Sequence, residues 1–302
     1  MHHIILTINM KNLFILMFLA MTALACNNSS KTNSSQSDTT SGSDSGKHEL
    51  VLKWETDSML KVPESVLLDK ANNVLYVSNI DGQDPWKADG KGSIGKVGLD
   101  GKIIATDWVS GLESPKGLGM YNGKLYAADL TNLVIIDIAS GKIEQKVAVE
   151  GAVGLNDIAI DSKGVLYVSD SPGKQVFRYE NGKAELFLDK LNGPNGLFIN
   201  GSDIFILDNQ AMHKVNADKT LTKIADGLDG NADGLENVVG DDYIISCWQG
   251  LIWYINADGT KEKLLDTKAA KKNTADIGFD KDSRILYVPT FFKNTVVAYE
   301  VK

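Results

Sequence analysis

Six residues recur through this 302-residue chain in a setting that suits coordination or polarisation chemistry. They are the middle members of Pro63-Glu64-Ser65, Pro115-Lys116-Gly117, Leu155-Asn156-Asp157, Pro194-Asn195-Gly196, Ala232-Asp233-Gly234 and Ala275-Asp276-Ile277. Each phrase opens an apolar run, and a second apolar run follows it. If the phrases converge, Glu64, Asp233 and Asp276 bring three carboxylates, Asn156 and Asn195 two carboxamides, and Lys116 one ammonium. Carboxylates held close together repel, and each raises its neighbours' pKa unless a cation or Lys116 offsets them. Oxygen donors without imidazole or thiolate suit one hard divalent cation, calcium first and magnesium second. Manganese and zinc stay open, zinc being disfavoured because the folded part holds only His48 and His213. Turn chemistry is the competing account, since Pro, Asn, Asp and Gly gather at turns in any fold. Glu64 and Lys116 are not turn formers, so the set as a whole reads as a site.

The elements that must position these residues follow from the spacing. Successive steps are 52, 40, 39, 38 and 43 residues, a period that with several short strands per unit marks a β-propeller. Second strands rich in β-branched and aromatic residues are expected over 74–79, 125–129, 165–170, 204–208, 243–248 and 285–290. A third strand, a Gly/Asn/Asp turn and a fourth strand complete most units. The sixth unit ends after a third strand over 295–301, and the orphan run over 49–54 supplies what is missing. Closing a ring this way removes two exposed sheet edges. The expectation is an all-β, six-bladed β-propeller of four-stranded antiparallel blades over 48–302, its N-terminal strand completing the last blade. Because the phrases begin the innermost strands, they should share one mouth of the channel. The loops over 79–93 with Trp86, 210–213, 248–250 and 291–293 should stand around them, with the hairpin turns on the other face. His213 reads as a surface loop residue.

A net charge of -8 and a pI near 5.1 argue against a nucleic-acid partner, which needs a basic face. Residues 1–25 read as an export signal: Lys11, an apolar segment over 13–25 too short to span a bilayer, and Ala23-Leu24-Ala25 before Cys26. Met10 offers an alternative start. The small residues before Cys26 resemble a lipobox with Ala23 in the place usually held by Leu, so Cys26 is the expected lipidation site. Residues 26–47 are Ser-, Asn- and Thr-rich and read as a flexible tether. Together they describe an exported protein anchored by its lipid to a bacterial membrane, on the periplasmic side or at the cell surface. Cys247 lies in an apolar strand and reads as a buried free thiol rather than a disulfide partner.

At the six phrases the chain resembles the senescence-marker-protein/gluconolactonase family, which includes regucalcin, over about residues 48–302. The resemblance implies one divalent cation on the propeller axis, held by Glu64, Asn195 and Asp233. It also implies that Asp233 serves as general base and that Asn156-Asp157 contacts substrate and metal water. Members of the family often carry Arg two residues before that pair, where this chain has Gly154, so specificity for sugar lactones is not implied. Lys116 and Asp276 are left to shape a different small-molecule pocket.

Two functions are therefore expected to compete. One is metal-dependent hydrolysis of a lactone or similar small ester; the other is non-catalytic binding of a ligand or protein at the same mouth. No Gly-x-Ser-x-Gly elbow points to a serine triad, and no P-loop or Rossmann fingerprint points to nucleotides.

Overall fold

The computed structural model describes residues 48–302; the expected signal, Cys26 and the tether lie outside the described residues. Six four-stranded antiparallel sheets stand around one axis. Their inner strands are Pro63–Asp69, Pro115–Tyr121, Leu155–Ile160, Pro194–Asn200, Ala232–Val239 and Gly278–Asp280, which we number as blades one to six. Each inner strand neighbours the next, and the sixth returns to the first. The ring is closed as the sequence predicts: Leu50–Glu55 pairs with Val296–Val301 as the outer strand of blade six.

Burial follows position in the blade. The second strand of blade one, Val74–Asn79, is buried at every residue because both of its faces meet neighbouring blades. The outer strand Lys142–Ala148 is mostly exposed and carries Lys, Glu and Gln. The core is accordingly divided into six apolar layers, one at each blade interface. Between blades one and two, Tyr76, Ile94 and Val109 meet Leu118, Leu125 and Val134. Each such fully buried side chain contributes about 1.5–3 kcal/mol.

The closing strand is fixed by Trp54. Its indole Nε1 donates to Leu99 O at 2.9 Å, and its ring covers Gly101 of blade one. That glycine has φ +84, and a Cβ there would lie 2.8 Å from Trp54 Cδ2. Two details differ from expectation. The last strand begins at Val296, because residues 291–293 form a one-turn 3-10 helix that leads into it. The outer strand of blade one, read from the sequence as the run over 103–108, extends over Ile103–Leu112, with register shifts along its pairing.

Candidate functional site

Every phrase in blades one to five falls on an irregularity in strand pairing. The register between first and second strands shifts at Pro63/Ser65, Pro115/Leu118, Leu155/Ile158, Pro194/Leu197 and Ala232/Leu235. A bulge frees residues from the ladder and re-aims their side chains, here toward the axis. The backbone N–H groups freed by the bulge are not left bare. Ser78, Ser169 and Ser246 of the second strands accept from Ser65, Asp157 and Gly234 at 2.9 Å each. Gly117, Gly196 and Gly234 let adjacent inner strands crowd together: a Cβ on Gly196 would lie 2.4 Å from Asp233 O.

Acidic or amide residues ending the second strands staple the segments that lead into the phrases. Asp129 accepts from the Glu113 and Ser114 amides, Asp170 from Val153 and Gly154, and Asp208 from Asn192 and Gly193. Asn79 Oδ1 does the same for Lys61. Spacing alone does not mark the serines and stapling carboxylates as supports. Their signal is nonetheless present, as Val-Ser-Asn and Val-Ser-Asp closing the second strands of blades one and three.

At the mouth, Glu64, Lys116, Asn156, Asn195 and Asp233 line one cavity of about 360 Å³ together with Trp86, Ser171, Asn209, Asn231, Trp248 and Phe291. This lies at the small end of ligand sites, which run to about 300–1,000 Å³. A larger groove of about 580 Å³ lies on the hairpin face between blades one and two, lined by Lys96 and Lys124. It lacks the convergent buried carboxylates, so size alone does not choose the site. Val62 and Phe291, which pack together beneath the rim, hold left-handed backbone (φ 56 and 50). Such a conformation is an outlier for a β-branched residue.

The candidate cation triad is brought together in part. Asn195 Nδ2 donates to Asp233 Oδ1 at 2.7 Å. Glu64 Oε2 and Asn195 Oδ1 are buried without any hydrogen-bond partner. Unpaired buried oxygens are costly, and an oxygen-loving cation would satisfy both. Among the described residues, no group of three His, Cys, Asp or Glu side chains is arranged to hold a metal. The triad is not such a group, because it has only two carboxylates and depends on the Asn195 carboxamide. The donor chemistry therefore fits a hard cation.

Asp276 is not at this mouth. It and Asp157 line a second cavity of about 230 Å³, where the channel runs between all six inner strands. Asp276 accepts from Ser65 Oγ at 2.5 Å, while its own amide donates to Glu64 O at 2.9 Å. An isolated parallel bridge pairs Asp276 with Ser65, the residue after Glu64, so the Asp276 carboxylate lines the lower cavity with Ser65. Asp157 is also redirected: its oxygens accept from the Ile158 amide at 2.7 Å and the Leu197 amide at 2.6 Å. It braces blade three against blade four instead of facing the mouth. Asn156 does face the mouth, its Nδ2 donating to Ser171 Oγ at 2.9 Å. His213 lies in the strand Ala211–Val215, paired with Ile206, and the neighbouring Asn209 takes the place at the rim expected for its loop.

Electrostatics follow from this crowding. Burial first, then Asp233 and Asp276, push the Glu64 carboxyl well above its ordinary range, with Lys116 opposing. Burial and Asp276 do the same to Asp233, while Lys116 and the Asn195 hydrogen bond pull it back. Asp157 is raised by burial and by Asp276, and Asp276 is pushed up to about 7 by burial. Lys116 is only 2% exposed, and burial lowers its ammonium to about 8 against the pull of Glu64. Cys247 is a buried free thiol, as expected.

Residues 62–292 match the family described as the SMP-30/gluconolactonase/LRE-like region. No curated protein matches the chain. Among solved structures, one provisionally assigned as a gluconolactonase is 18% identical, with TM-score 0.65 over 84% of this chain and 92% of that one. A streptogramin B lyase is 13% identical, with TM-score 0.61 over 85% and 98%. A structural-genomics protein of unknown function from Bacteroides thetaiotaomicron is 14% identical, with TM-score 0.61 over 80% and 70%. These likenesses establish the propeller fold, which hosts several chemistries. With its matched span covering most of the molecule, the chain belongs to the SMP-30/gluconolactonase/LRE-like family.

Proposed function

We propose that the protein is a metal-dependent hydrolase of a lactone or similar small ester, acting at the mouth formed by Glu64, Asn195 and Asp233. The observation that carries this reading is the pair of buried, unpartnered oxygens, Glu64 Oε2 and Asn195 Oδ1, beside the Asp233 carboxylate. These three residues would hold the cation, calcium first by donor type. When bound, such a cation supplies Lewis-acid polarisation of the carbonyl and shields the charge developing on its oxygen. Asp233 is the general base, drawing a proton from the attacking water. Asn195, donating to Asp233, fixes that carboxylate's orientation. Asn156 presents its carboxamide oxygen to the cavity while Ser171 holds its amino group, which positions substrate at the rim. Asp157, with both oxygens committed to backbone amides, positions the inner strands and takes no part at the substrate. Water adds across the acyl–oxygen bond, giving a hydroxy acid from a lactone or an acid and alcohol from an ester.

The test is hydrolysis of a lactone and ester panel with calcium, magnesium or manganese, with products identified. Asp233→Asn should lower kcat at saturating calcium by about 10²–10⁴, the usual share of a general base, while circular dichroism shows the fold retained. Wild-type turnover in that variant would sink the mechanism. Non-catalytic binding at the same mouth is favoured by Gly154 and would show as ligand binding with no product. Elimination, as in a lyase, would leave an alkene and no added water. The export and lipid anchoring expected at Cys26 belong to this proposal and rest on the sequence of residues 1–47 alone.

A further inference from the structure

Three aromatic side chains line the mouth, Trp86, Trp248 and the buried Phe291, and the way the first is held bears on what the site accepts. The segment after Val74–Asn79 leaves blade one and carries Trp86 past blade two onto blade three. There its indole lies against Gly154, where a Cβ would come within 2.6 Å of Trp86 Cζ3 and 2.9 Å of Pro172 Cγ. Any larger residue at 154 would displace the indole. The segment is strapped down by two half-buried bonds: Lys116 Nζ and Ser114 Oγ both donate to Pro85 O, at 2.6 and 2.7 Å. Lys116 Nζ also lies 4.1 Å from the centroid of the Trp86 ring, which adds a cation–π contact.

Across the ring, at the boundary of blades five and six, Trp248 packs edge-on against Phe291 with centroids 5.4 Å apart. By blade order this boundary lies half a turn from the boundary of blades two and three. The cavity thus has an aromatic wall on each side and the carboxylate-amide floor between them. Its one ammonium is not free for substrate, because Lys116 donates to Pro85 O, Ser114 O and Ser114 Oγ. The amide donors nearest the floor are also committed, Asn156 to Ser171 and Asn195 to Asp233. The free groups left on the floor, Glu64 Oε2 and Asn195 Oδ1, are the acceptors assigned to the cation, whereas an apolar ring or short alkyl group would meet aromatic side chains on both sides.

We infer that Trp86, Trp248 and Phe291 select a neutral lactone or ester bearing an aryl or alkyl substituent over a polyhydroxylated or anionic one. This rests on the hydrolase reading for its chemistry but not for its geometry. Lys116, Ser114 and Gly154 act through Trp86 as positioning residues.

The test uses the full chain with calcium and compares γ-phenyl-γ-butyrolactone, unsubstituted γ-butyrolactone and glucono-δ-lactone. Binding of the slowly hydrolysed lactam 5-phenylpyrrolidin-2-one is followed in parallel by calorimetry. The expected result is a kcat/KM at least about tenfold higher for the phenyl lactone than for either other lactone, as hydrophobic contacts typically discriminate. Trp86→Ala and, from the opposite side of the contact, Gly154→Ala should both collapse that ratio and weaken lactam binding by a similar factor; Trp86→Phe should keep most of it. If no lactone turns over but the lactam binds in a Trp86-dependent way, the hydrolase reading falls and the selectivity stands. Preference for gluconolactone, lactam binding indifferent to both alanine variants, or neither turnover nor binding would overturn the inference.

Discussion

Glu64 shows why the residues at the mouth are a site and not a consequence of turn chemistry. A turn former would be exposed and locally bonded, whereas Glu64 is buried with one oxygen unpartnered and its proton affinity raised. Such a group costs folding free energy unless a cation arrives. Glu64→Gln should therefore have opposite effects on the two states: the metal-free protein melts higher, and calcium binds at least about tenfold more weakly, in keeping with loss of a charged ligand. Scanning calorimetry with and without chelator reads both. Equal calcium affinity in the variant would remove Glu64 from the cation site. Lys116 carries a different lesson. Its type and place were legible as part of the ring, but its role as a strap for Trp86 depends on Pro85 O, a backbone atom of a distant loop that spacing does not locate.

Among the elements, the second strands matter as much as the inner ones. Asp170 accepts the Val153 and Gly154 amides and so holds in place the segment against which Trp86 rests. Asp170→Ala should destabilise the protein by about 1–3 kcal/mol, the cost of buried donors left unmet, and lower aromatic-ligand affinity. Chemical denaturation checks the first effect, and a loss under about 0.3 kcal/mol would contradict the staple, since even one typical hydrogen bond is worth more. The blades were legible because the phrases repeat near every 40 residues and the run over 49–54 reads as an orphan strand in need of a partner. The depth of each phrase residue was not. Bulges at the start of the inner strands decide which side chain meets the mouth and which faces the lower channel. Sequence spacing treats Asp276 and Asp233 alike, yet Asp276 bridges to Ser65 and its carboxylate lines the lower cavity.

Over the whole molecule, buried carboxylates along the axis set the response to pH. Glu64, Asp157, Asp233, Asp276 and Glu236 all bind protons more tightly folded than unfolded, Asp276 up to about 7 and Glu236 up to about 8. Their contribution is complete below the ordinary carboxylate range and is lost as pH rises through the raised values. Lys116, lowered to about 8, acts with the opposite sign and only above that pH. Surface carboxylates held low, such as Asp137 at about 2, lose their contribution only in stronger acid. In chelator, the melting temperature should therefore fall between about pH 5 and 8. Calcium should flatten the slope, because a bound cation offsets the same charges. A flat or rising curve in chelator would mean the axial carboxylates are not strained by burial.

The most direct test of the account is a calcium titration of the chelator-treated protein, with heat of binding and lactone turnover measured on the same sample. Turnover should be absent at the start, rise in step with the filling of one site, and be complete at one equivalent. Asp233→Asn should bind calcium more weakly and fail to recover turnover at saturation. Full turnover before any calcium is added, or saturation of the site with no turnover of any lactone or ester, would contradict it.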